Sequence, residues 1–211
     1  NFFIHTNLDA EDFKICICKQ KNINNWKDYI PATNGILIGS FDLLDEWMVR
    51  SEIKDALAKL YVRNLKTNKE EELIITDEKV ITPGASLMQR NRNTNKLYIA
   101  FTSPKTPGKS YIYDIVTKEK KLVKEEIVPS GHQPNDYIVE RLNCDSHDGR
   151  KIPLTITRHK KTKLDGSANL LLYAYGSYGS SMGPGFSSSR LSLISRDIIW
   201  VTADIRGGME R

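Results

Sequence analysis

The sequence predicts a partial β-propeller of about three blades followed by the start of an α/β sheet, which makes a mixed and incomplete fold. Three observations support this prediction. Short segments rich in Ile, Val, Tyr and Phe recur through residues 1–135, as in proteins built of short strands. One motif among them occurs twice. Beyond residue 135, two apolar runs flank a helical pattern, which is typical of parallel strands joined by a crossover helix.

Nine segments in the first part of the chain have the composition of short strands, and Asn, Asp, Gly, Pro and Lys fill the gaps between them. We therefore predict strands at 2–6, 13–19, 35–41, 46–53, 59–64, 72–76, 97–102, 110–115 and 121–127. Residues 43–47 are also compatible with a turn or a tight loop.

A repeat within these segments indicates propeller blades. The stretch from Tyr61 to Thr67 matches the stretch from Tyr111 to Thr117, and 111 − 61 gives a shift of 50 residues. Each copy has an aromatic strand, an Asn or Asp, an apolar residue and a Thr, and residues 15–19 form a looser copy. Repeats of ~40–50 residues are typical of blades, which stack because one blade cannot bury both of its faces. Closed propellers have ~4–8 blades, so we expect an incomplete ring with at least one exposed blade face.

A break in composition predicts the boundary between two domains. Residues 129–135 read Pro-Ser-Gly-His-Gln-Pro-Asn, a polar segment of the kind that separates domains. We therefore predict a partial β-propeller at 1–135 and a second domain at 136–211.

The second domain is predicted to begin with a hairpin around Asp148-Gly149 and to continue as strand, helix and strand. The predicted segments are, in order, the strands 137–143, 151–159 and 170–175, the helix 187–196 and the strand 198–203. The last two strands are almost wholly apolar, as in strands buried on both faces, and serines precede Leu191 and Ile194 at helical spacing. Because a parallel sheet needs more strands, and because the chain begins inside a strand, we expect an internal fragment.

Composition argues against a nucleic-acid-binding, membrane or secreted disulfide protein. The formal net charge is +5 and the pI is near 9.0, but basic and acidic residues alternate, as in 118–126, which is typical of a solvated surface. No apolar run reaches the ~18 residues of a membrane span, and the N-terminus lacks the pattern of a signal peptide. The odd count of three cysteines, Cys16, Cys18 and Cys144, favours reduced thiols and a cytoplasmic location.

Three segments of the second domain carry a resemblance to a known family. They read LYAYGSYG at 172–179, FSSSRLSL at 186–193 and DIRGG at 204–208. In this order and spacing they resemble the prolyl oligopeptidase family of serine peptidases and, within it, oligopeptidase B (protease II). The hairpin at 148–154, residues 29–31 and Trp47 also fit the family. The resemblance therefore extends over nearly the whole chain.

The resemblance implies a complete propeller that caps an α/β-hydrolase domain, of which this chain would hold the first part. It implies a serine-type oligopeptidase that cleaves short peptides after basic residues, and a propeller that admits only small, flexible substrates. It implies no metal and no organic cofactor. The expected partners are a short peptide substrate and the missing C-terminal part of the peptidase.

Peptide hydrolysis of this type needs a serine nucleophile, a histidine base, an acid that orients the histidine, and an oxyanion hole. In α/β-hydrolases the first three follow one another in the order Ser, Asp, His. The last histidine of this chain is His159, so no histidine follows the candidate serines. In the family, all three groups lie C-terminal to the Arg-Gly-Gly segment. We therefore expect neither nucleophile nor base in this chain, and no activity of the chain alone.

One motif imitates a nucleophile elbow. The sequence GSSMG at 179–183 satisfies G-x-S-x-G, with Ser181 at its centre. An elbow needs a strand that runs into the first glycine and a helix that starts just after the serine. Here the strand is predicted to end near Tyr175, and Pro184 stands where the helix should begin. We therefore do not assign Ser181 as a nucleophile.

Tyr175 matches, by resemblance, the family tyrosine whose phenol donates a hydrogen bond to the oxyanion. A preorganised donor of this kind is worth ~10²–10³ in rate, but only where a nucleophile creates the oxyanion. We interpret Tyr173, which lies earlier on the same strand, as a packed core aromatic.

The remaining motifs carry little chemistry. Cys144 and His147 have ligand-like spacing but no second pair, so no zinc site is predicted. The histidines expected at the surface or in turns are His5, His132 and His159. Arg206-Gly207-Gly208 is a single copy and not an RNA-binding tract. Met209 then stands where the family usually has glycine, and a positive φ there would be strained.

Two other hypotheses stay open. The chain could be one subunit of a two-piece split peptidase that docks through the exposed blade face and the unfinished sheet edge. It could instead be a non-catalytic binding module of the propeller type. An open propeller with a partial sheet would then have to be stable by itself, although such surfaces favour aggregation.

Overall fold

A computed structural model describes residues 1–88 and 92–208. The first eleven strands are β1 (Phe2–Thr6), β2 (Lys14–Lys19), β3 (Asn22–Ile30), β4 (Leu37–Leu43), β5 (Trp47–Lys54), β6 (Leu57–Asn64), β7 (Glu70–Glu72), β8 (Thr82–Leu87), β9 (Lys96–Thr102), β10 (Lys109–Asp114) and β11 (Lys120–Glu125). The later elements are a 3₁₀ turn (Pro134–Asp136), β12 (Tyr137–Asp145), β13 (Lys151–His159), β14 (Leu170–Ala174), helix α1 (Ser188–Ile194) and β15 (Ile199–Ala203).

Strands β1 to β11 form three antiparallel sheets, which is the number of blades that the repeat predicts. The strand orders are β1-β2-β3, β4-β5-β6-β7 and β8-β9-β10-β11. Within each sheet, strands that are consecutive in sequence pair with each other, so that every sheet is a simple meander. Within the described residues the three sheets do not close into a ring, which agrees with the predicted open arrangement.

The sheets are held together by apolar side chains on their facing surfaces. A smaller cluster joins the first sheet to the second through Ile15, Ile30, Ile38 and Met48. A larger cluster joins the second sheet to the third through Leu44, Val49, Leu60, Val62, Leu73, Ile75, Leu97, Ile99, Phe101 and Ile115. Burial of such surface contributes about 25 cal/mol per Å², so each sheet is stabilised by its neighbour rather than alone.

A buried charge lies within the second sheet. The side chain of Arg50 is 4% exposed; its guanidinium donates to Glu52 Oε1 at 2.6 and 3.0 Å and to the carboxylate of Glu70. The guanidinium also lies 4.9 Å from the centre of the Tyr61 ring. Burial acts to raise the pKa of Glu70, but hydrogen bonds and charge from Arg50, with help from Arg63, outweigh burial and hold that pKa below its ordinary value.

Most predicted strands coincide with observed ones, and the exceptions have physical reasons. Strand β3 was not predicted because it is Asn-rich and mostly exposed, so it lacks an apolar face. Strand β8 was not predicted because it contains Pro83 and Gly84, which disfavour strands. In the predicted strand 72–76, Leu73 and Ile75 reach the core from irregular backbone, and the regular strand ends at Glu72.

The fourth sheet has the order β12-β13-β15-β14. Strands β12 and β13 form the predicted hairpin, β13 pairs antiparallel with β15, and β14 pairs parallel with β15. Helix α1 lies between β14 and β15 in sequence. At the N-terminus of α1, the Ser187 side chain accepts a hydrogen bond from the Arg190 N–H, as expected for a helix cap. Leu191 and Ile194 bury its inner face. The predicted order of strand, helix and strand is confirmed, with a helix shorter than 187–196.

The prediction that both apolar strands are buried on two faces is correct for β15 and wrong for β14. Val201, Thr202 and Ala203 of β15 are buried, because β15 lies between β13 and β14. Leu170 and Leu172 of β14 are exposed, and Leu172 is 62% exposed. The reason is position: among the described residues β14 pairs only with β15 and stands at the outside of the sheet.

Candidate functional site

Tyr175 is the first residue after β14 and so lies at the carboxyl end of that strand, which pairs in parallel with β15. It is 39% exposed, and among the described residues its hydroxyl has no hydrogen-bond partner. Its O–H is therefore available to a ligand. Tyr173 instead stacks on Trp200 of β15, with ring centroids 6.0 Å apart. The prediction that Tyr173 is a core aromatic is wrong, because Tyr173 is 40% exposed and packs on Trp200 at the surface of the sheet.

The backbone beyond Tyr175 is in direct contact with a second segment. We name residues 175–180 the tyrosine loop and residues 204–208 the DIRGG segment. A Cβ atom at Gly176 would overlap with the carbonyl oxygen of Arg206, and a Cβ at Gly207 would overlap with the carbonyl oxygen of Gly176. Both positions therefore require glycine, which alone permits such an approach. The prediction of strain at Met209 concerns a position outside the described residues.

The tyrosine loop turns back on itself and presents a second tyrosine. The Ser180 N–H donates to the Ser177 carbonyl at 3.0 Å, and the Gly179 N–H donates to the Gly207 carbonyl at 3.0 Å. Tyr178 at the tip has φ +54° and is 96% exposed. A non-glycine residue in this conformation is uncommon, although Tyr178 shares it with other described residues such as Phe13 and Ala56.

Ser181 does not occupy a nucleophile elbow. No regular helix or strand contains residues 181–187, and α1 begins only at Ser188. The chain after Ser181 instead crosses to the blades, where the Phe186 N–H donates to Thr102 Oγ1 at 3.1 Å. The strand-to-helix turn that an elbow requires is therefore missing around Ser181.

One serine and one histidine do approach each other, in the turn of the β12–β13 hairpin. Ser146 Oγ lies 3.4 Å from His147 Nδ1 in an exposed position. The neighbouring Asp148 accepts from Arg206 Nη1 at 2.6 Å instead of orienting the histidine. Hydrogen bonds from the backbone N–H of Arg150 and from Ser146 and Arg206 hold the pKa of Asp148 below its ordinary value. These are neighbours in one turn and lack the base–acid contact of a triad.

His132 lies in the loop that follows the turn at 129–130, close to the predicted surface or turn position, but it is half-buried. Its Nε2 lies 2.6 Å from the Lys105 carbonyl oxygen. Its ring is packed between Tyr137 and Phe186, with centroid distances of 5.0 and 5.2 Å. Because Lys105 lies in the loop between β9 and β10 and Tyr137 is the first residue of β12, His132 helps to join the two parts of the chain. Local sequence does not reveal such packing.

The other two histidines contact aromatic rings. The ring of His5 on β1 stacks on Phe13, and its Nε2 lies 2.9 Å from the Ile38 carbonyl oxygen. The ring of His159, at the end of β13, meets Tyr137 edge to face. Neither histidine hydrogen-bonds a serine hydroxyl among the described residues.

A cleft of about 770 Å³ separates the first sheet from the fourth. Glu11 and Asp12 line one wall, and Arg150 and Arg206 line the other. Asp12 Oδ2 accepts from the Gly35 N–H at 2.8 Å, which fixes that carboxylate. The volume lies within the range of small-ligand sites, and the opposed charges would orient a ligand that carries charge of its own.

The described residues contain no group of three or more His, Cys, Asp or Glu that could hold a metal ion. Cys144 is exposed, Cys16 and Cys18 are buried, and all three are free thiols. Burial, followed by a hydrogen bond to Asp28, raises the pKa of the Cys16 thiol, so this thiol is unreactive. In the part of the chain that is described, the helical segment is too short to cross a membrane.

Comparison with known proteins decides the family. Residues 1–126 match the family model described as prolyl oligopeptidase, N-terminal beta-propeller domain. The chain belongs to the prolyl oligopeptidase family. Over 98% of its length it is 35% identical to dipeptidyl aminopeptidase BI from Pseudoxanthomonas mexicana, and over 100% it is 26% identical to protease 2 from Moraxella lacunata. The matches cover 29% and 30% of those proteins, so the chain spans about 30% of the length of these relatives.

Solved structures of the family show the same arrangement. Oligopeptidase B from Trypanosoma brucei with covalently bound antipain matches with a TM-score of 0.89 and 27% identity, over 99% of this chain and 30% of that one. The oligopeptidase B of Leishmania major, at 24% identity, shows the fold alone. The family and the partial propeller predicted from the sequence are confirmed.

Sequence reasoning found Tyr175 and the DIRGG segment separately and missed their contact. The sequence did contain a signal of this contact. Gly176 and Gly207 each lie inside a motif, and a glycine at such a position indicates that another backbone segment approaches closely. It also missed Arg141, which ion-pairs with Asp204. An arginine in a polar strand carries no local sign of such a partner.

Proposed function

We propose that this chain contributes propeller blades and the beginning of an α/β-hydrolase domain to a serine-type oligopeptidase. The observation that carries the proposal is the parallel pair β14–β15 with α1 between its strands. In open α/β sheets, ligands bind beyond the carboxyl ends of the strands. The tyrosine loop and the DIRGG segment follow the carboxyl ends of these two strands and meet there.

The proposed domains are the partial propeller at 1–135 and the first part of the hydrolase domain at 136–211. Two features support this division. The fourth sheet shares no strand with the three blades, and the 3₁₀ turn Pro134–Asp136 stands directly before β12. The two parts then join through side chains such as Phe186 and His132.

Tyr175 is proposed as an oxyanion-hole donor. Tyr175 is 39% exposed, its hydroxyl has no hydrogen-bond partner among the described residues, and the contact of the next residue, Gly176, with Gly207 fixes the loop. A donor that is held in place before the reaction stabilises developing negative charge without reorganisation. The role therefore fits a hydroxyl on a constrained loop at a strand end.

Short peptides are the proposed substrates, cleaved after basic residues, and no metal or organic cofactor is needed for the reaction. The names of the relatives support this class, since they include a protease and an oligopeptidase. The carboxylates of Glu11 and Asp12 lie opposite Arg150 and Arg206 in the cleft, an arrangement that would orient a peptide carrying both a positive and a negative charge. Release of dipeptides is a second candidate, favoured by the 35% identity to a dipeptidyl aminopeptidase. The free thiols support a cytoplasmic location.

We propose that the 211 residues alone do not hydrolyse peptides, because nucleophile and base would come from another part of the peptidase. That part could be continuous with this chain or, in a split enzyme, a separate subunit. The outer edge of β14, with its exposed leucines, is where further strands would add. A purely binding role for the blades is the remaining alternative.

The test compares Tyr175→Phe with the matched control Tyr173→Phe in the peptidase that contains this chain. Loss of the Tyr175 hydroxyl is expected to lower kcat on an Arg-containing peptide by about 10²–10³-fold, whereas Tyr173→Phe leaves kcat unchanged. The isolated chain is expected to show no turnover. Turnover by the isolated chain that survives Tyr175→Phe and stops with a serine-directed inhibitor would refute the proposal.

A further inference from the structure

Arg141 connects three parts of the molecule that are far apart in sequence. It lies on β12, and its guanidinium donates to Thr155 Oγ1 on β13. It also donates to the carbonyl oxygen of Asp55, in the turn between β5 and β6. Its Nη1 lies 2.9 Å from Oδ2 of Asp204, the first residue of the DIRGG segment. One side chain thus joins a propeller blade to the segment that contacts the tyrosine loop.

In the ion pair of Arg141 with Asp204, the aspartate side chain is the more deeply buried of the two. The Asp204 side chain is 2% exposed and that of Arg141 18%. A buried carboxylate is stable only where a partner compensates for its lost hydration. The planar guanidinium offers several N–H groups in a fixed geometry, which lysine does not. The backbone N–H of Asp204 also donates to the Pro153 carbonyl at 3.0 Å, so both backbone and side chain of Asp204 are anchored.

The path from Asp204 to Tyr175 is short. Ala174 and Ala203 are paired in the parallel register, so Tyr175 and Asp204 are the next residues of the two strands. Beyond them, the Gly176 and Gly207 backbones meet without space for a side chain. Close-packed contacts of this kind transmit displacement rather than absorb it. A shift of the DIRGG segment therefore moves the tyrosine loop.

We propose that Arg141 is a positioning residue for Tyr175, which acts through Asp204 and the DIRGG segment. The inference rests on the proposed oxyanion role of Tyr175. Because Arg141 also binds the Asp55 carbonyl, the placement of the donor depends on the position of the propeller turn. The other ion pair of the segment, Arg206 with Asp148, is half-exposed and contributes less, since water and salt screen it.

The test compares Arg141→Lys with Arg158→Lys. Arg158 lies on β13 of the same hairpin and pairs with Glu140 at 3.1 Å, so it matches Arg141 in charge and in having a carboxylate partner, without an ion pair to the DIRGG segment. In the peptidase that contains this chain, Arg141→Lys is expected to lower kcat about 10- to 100-fold, as for a misplacement of about 1 Å, with KM unchanged. Arg158→Lys is expected to leave both constants unchanged.

Hydrogen–deuterium exchange supplies a readout that does not depend on activity. Arg141→Lys is expected to raise exchange in residues 173–179 and 204–208 and to leave the blades unchanged outside the turn that holds Asp55. A lower melting temperature with unchanged kcat and unchanged exchange in these segments would overturn the proposal. Equal effects of the two lysine variants would overturn it as well.

Failure of the proposed function is distinguishable from failure of this inference. If Tyr175→Phe leaves kcat unchanged, the oxyanion role is wrong, and the exchange data alone then decide whether Arg141 holds the tyrosine loop. Asp204→Asn removes the charge from the other side of the pair and preserves the shape of the side chain. It replaces Arg141→Lys if that variant does not fold, with the same expected changes in kcat and exchange.

Discussion

At the scale of single residues, the contact between Gly176 and Gly207 gives the first prediction. Gly207 has φ +105°, and a Cβ there would overlap with the Gly176 carbonyl oxygen. Gly207→Ala is therefore expected to lower the free energy of unfolding by at least about 2 kcal/mol, through strain at a positive φ and through the clash. Urea denaturation measures the difference.

The matched control for this prediction is Gly84→Ala on β8. An added Cβ at Gly84 meets no atom within 4 Å, and no positive φ is involved. We expect a change close to zero, because alanine also reduces the entropy of the unfolded chain. Equal destabilisation by both substitutions would show that the glycine contact does not constrain the site.

Single residues also show where sequence reasoning ends. The role of Tyr175 rests on resemblance and stays a prediction, whereas its position at the end of an apolar strand could be predicted and is observed next to β14. The contacts of Arg141 could not be predicted, because both partners are remote in sequence. Asp55 precedes Arg141 by 86 residues, and Asp204 follows it by 63 residues. Burial of Asp204 is a property of the assembled sheet. No pattern near position 204 distinguishes a buried aspartate from an exposed one.

At the scale of elements, apolar periodicity predicted the strands that have a buried face. Strand β3 has no such face and β8 contains strand-breaking residues, so their pairing with β2 and β9 decides their structure instead. For β14 the strand itself was predicted, but its burial was overestimated. Its composition predicts full burial, and the observed exposure of Leu170 and Leu172 shows apolar surface that the described residues leave uncovered.

This uncovered strand predicts self-association of the isolated chain. An outer strand with exposed leucines offers both unpaired backbone and apolar surface to another molecule. Leu172→Lys is expected to reduce concentration-dependent association in sedimentation velocity experiments, because a lysine on an edge strand opposes pairing. Ile127→Lys, which changes an exposed residue outside any strand, should leave association unchanged. A monomer at all concentrations, or equal effects of both variants, contradicts this prediction.

At the scale of the whole molecule, the sequence predicted the number of sheets and the family but not how the two parts are joined. The junction includes single contacts such as Arg141 with the Asp55 carbonyl and Phe186 N–H with Thr102 Oγ1, besides the packing of His132. Each links residues that are remote in sequence and unremarkable in composition. The repeat revealed the blades because it is a property of the chain itself, whereas the junction arises only when the sheets are assembled.

The charges of the whole molecule give the last prediction, which concerns stability against pH. The carboxyls with pKa values held below their ordinary range are Asp28, Glu70, Asp136, Asp148 and Asp165. A lowered pKa in the folded state means that the unfolded state binds more protons in acid. Their contribution to stability is therefore present above the unfolded pKa values and is lost as the pH falls through the folded ones. On the alkaline side, the raised pKa of Cys16 removes stability as the pH rises past its ordinary value.

The test measures the free energy of unfolding at about pH 7 and at about pH 3.5. We expect a lower value in acid, and a smaller difference between the two conditions in Glu70→Gln, because that variant has no Glu70 carboxylate for acid to protonate beside Arg50. Glu119→Gln is the control, since Glu119 is exposed and its carboxylate accepts no hydrogen bond among the described residues. An unchanged pH difference in Glu70→Gln would mean that Arg50 and Glu70 interact as weakly as a surface pair, and that the buried charge within the second sheet depends on Glu52 alone.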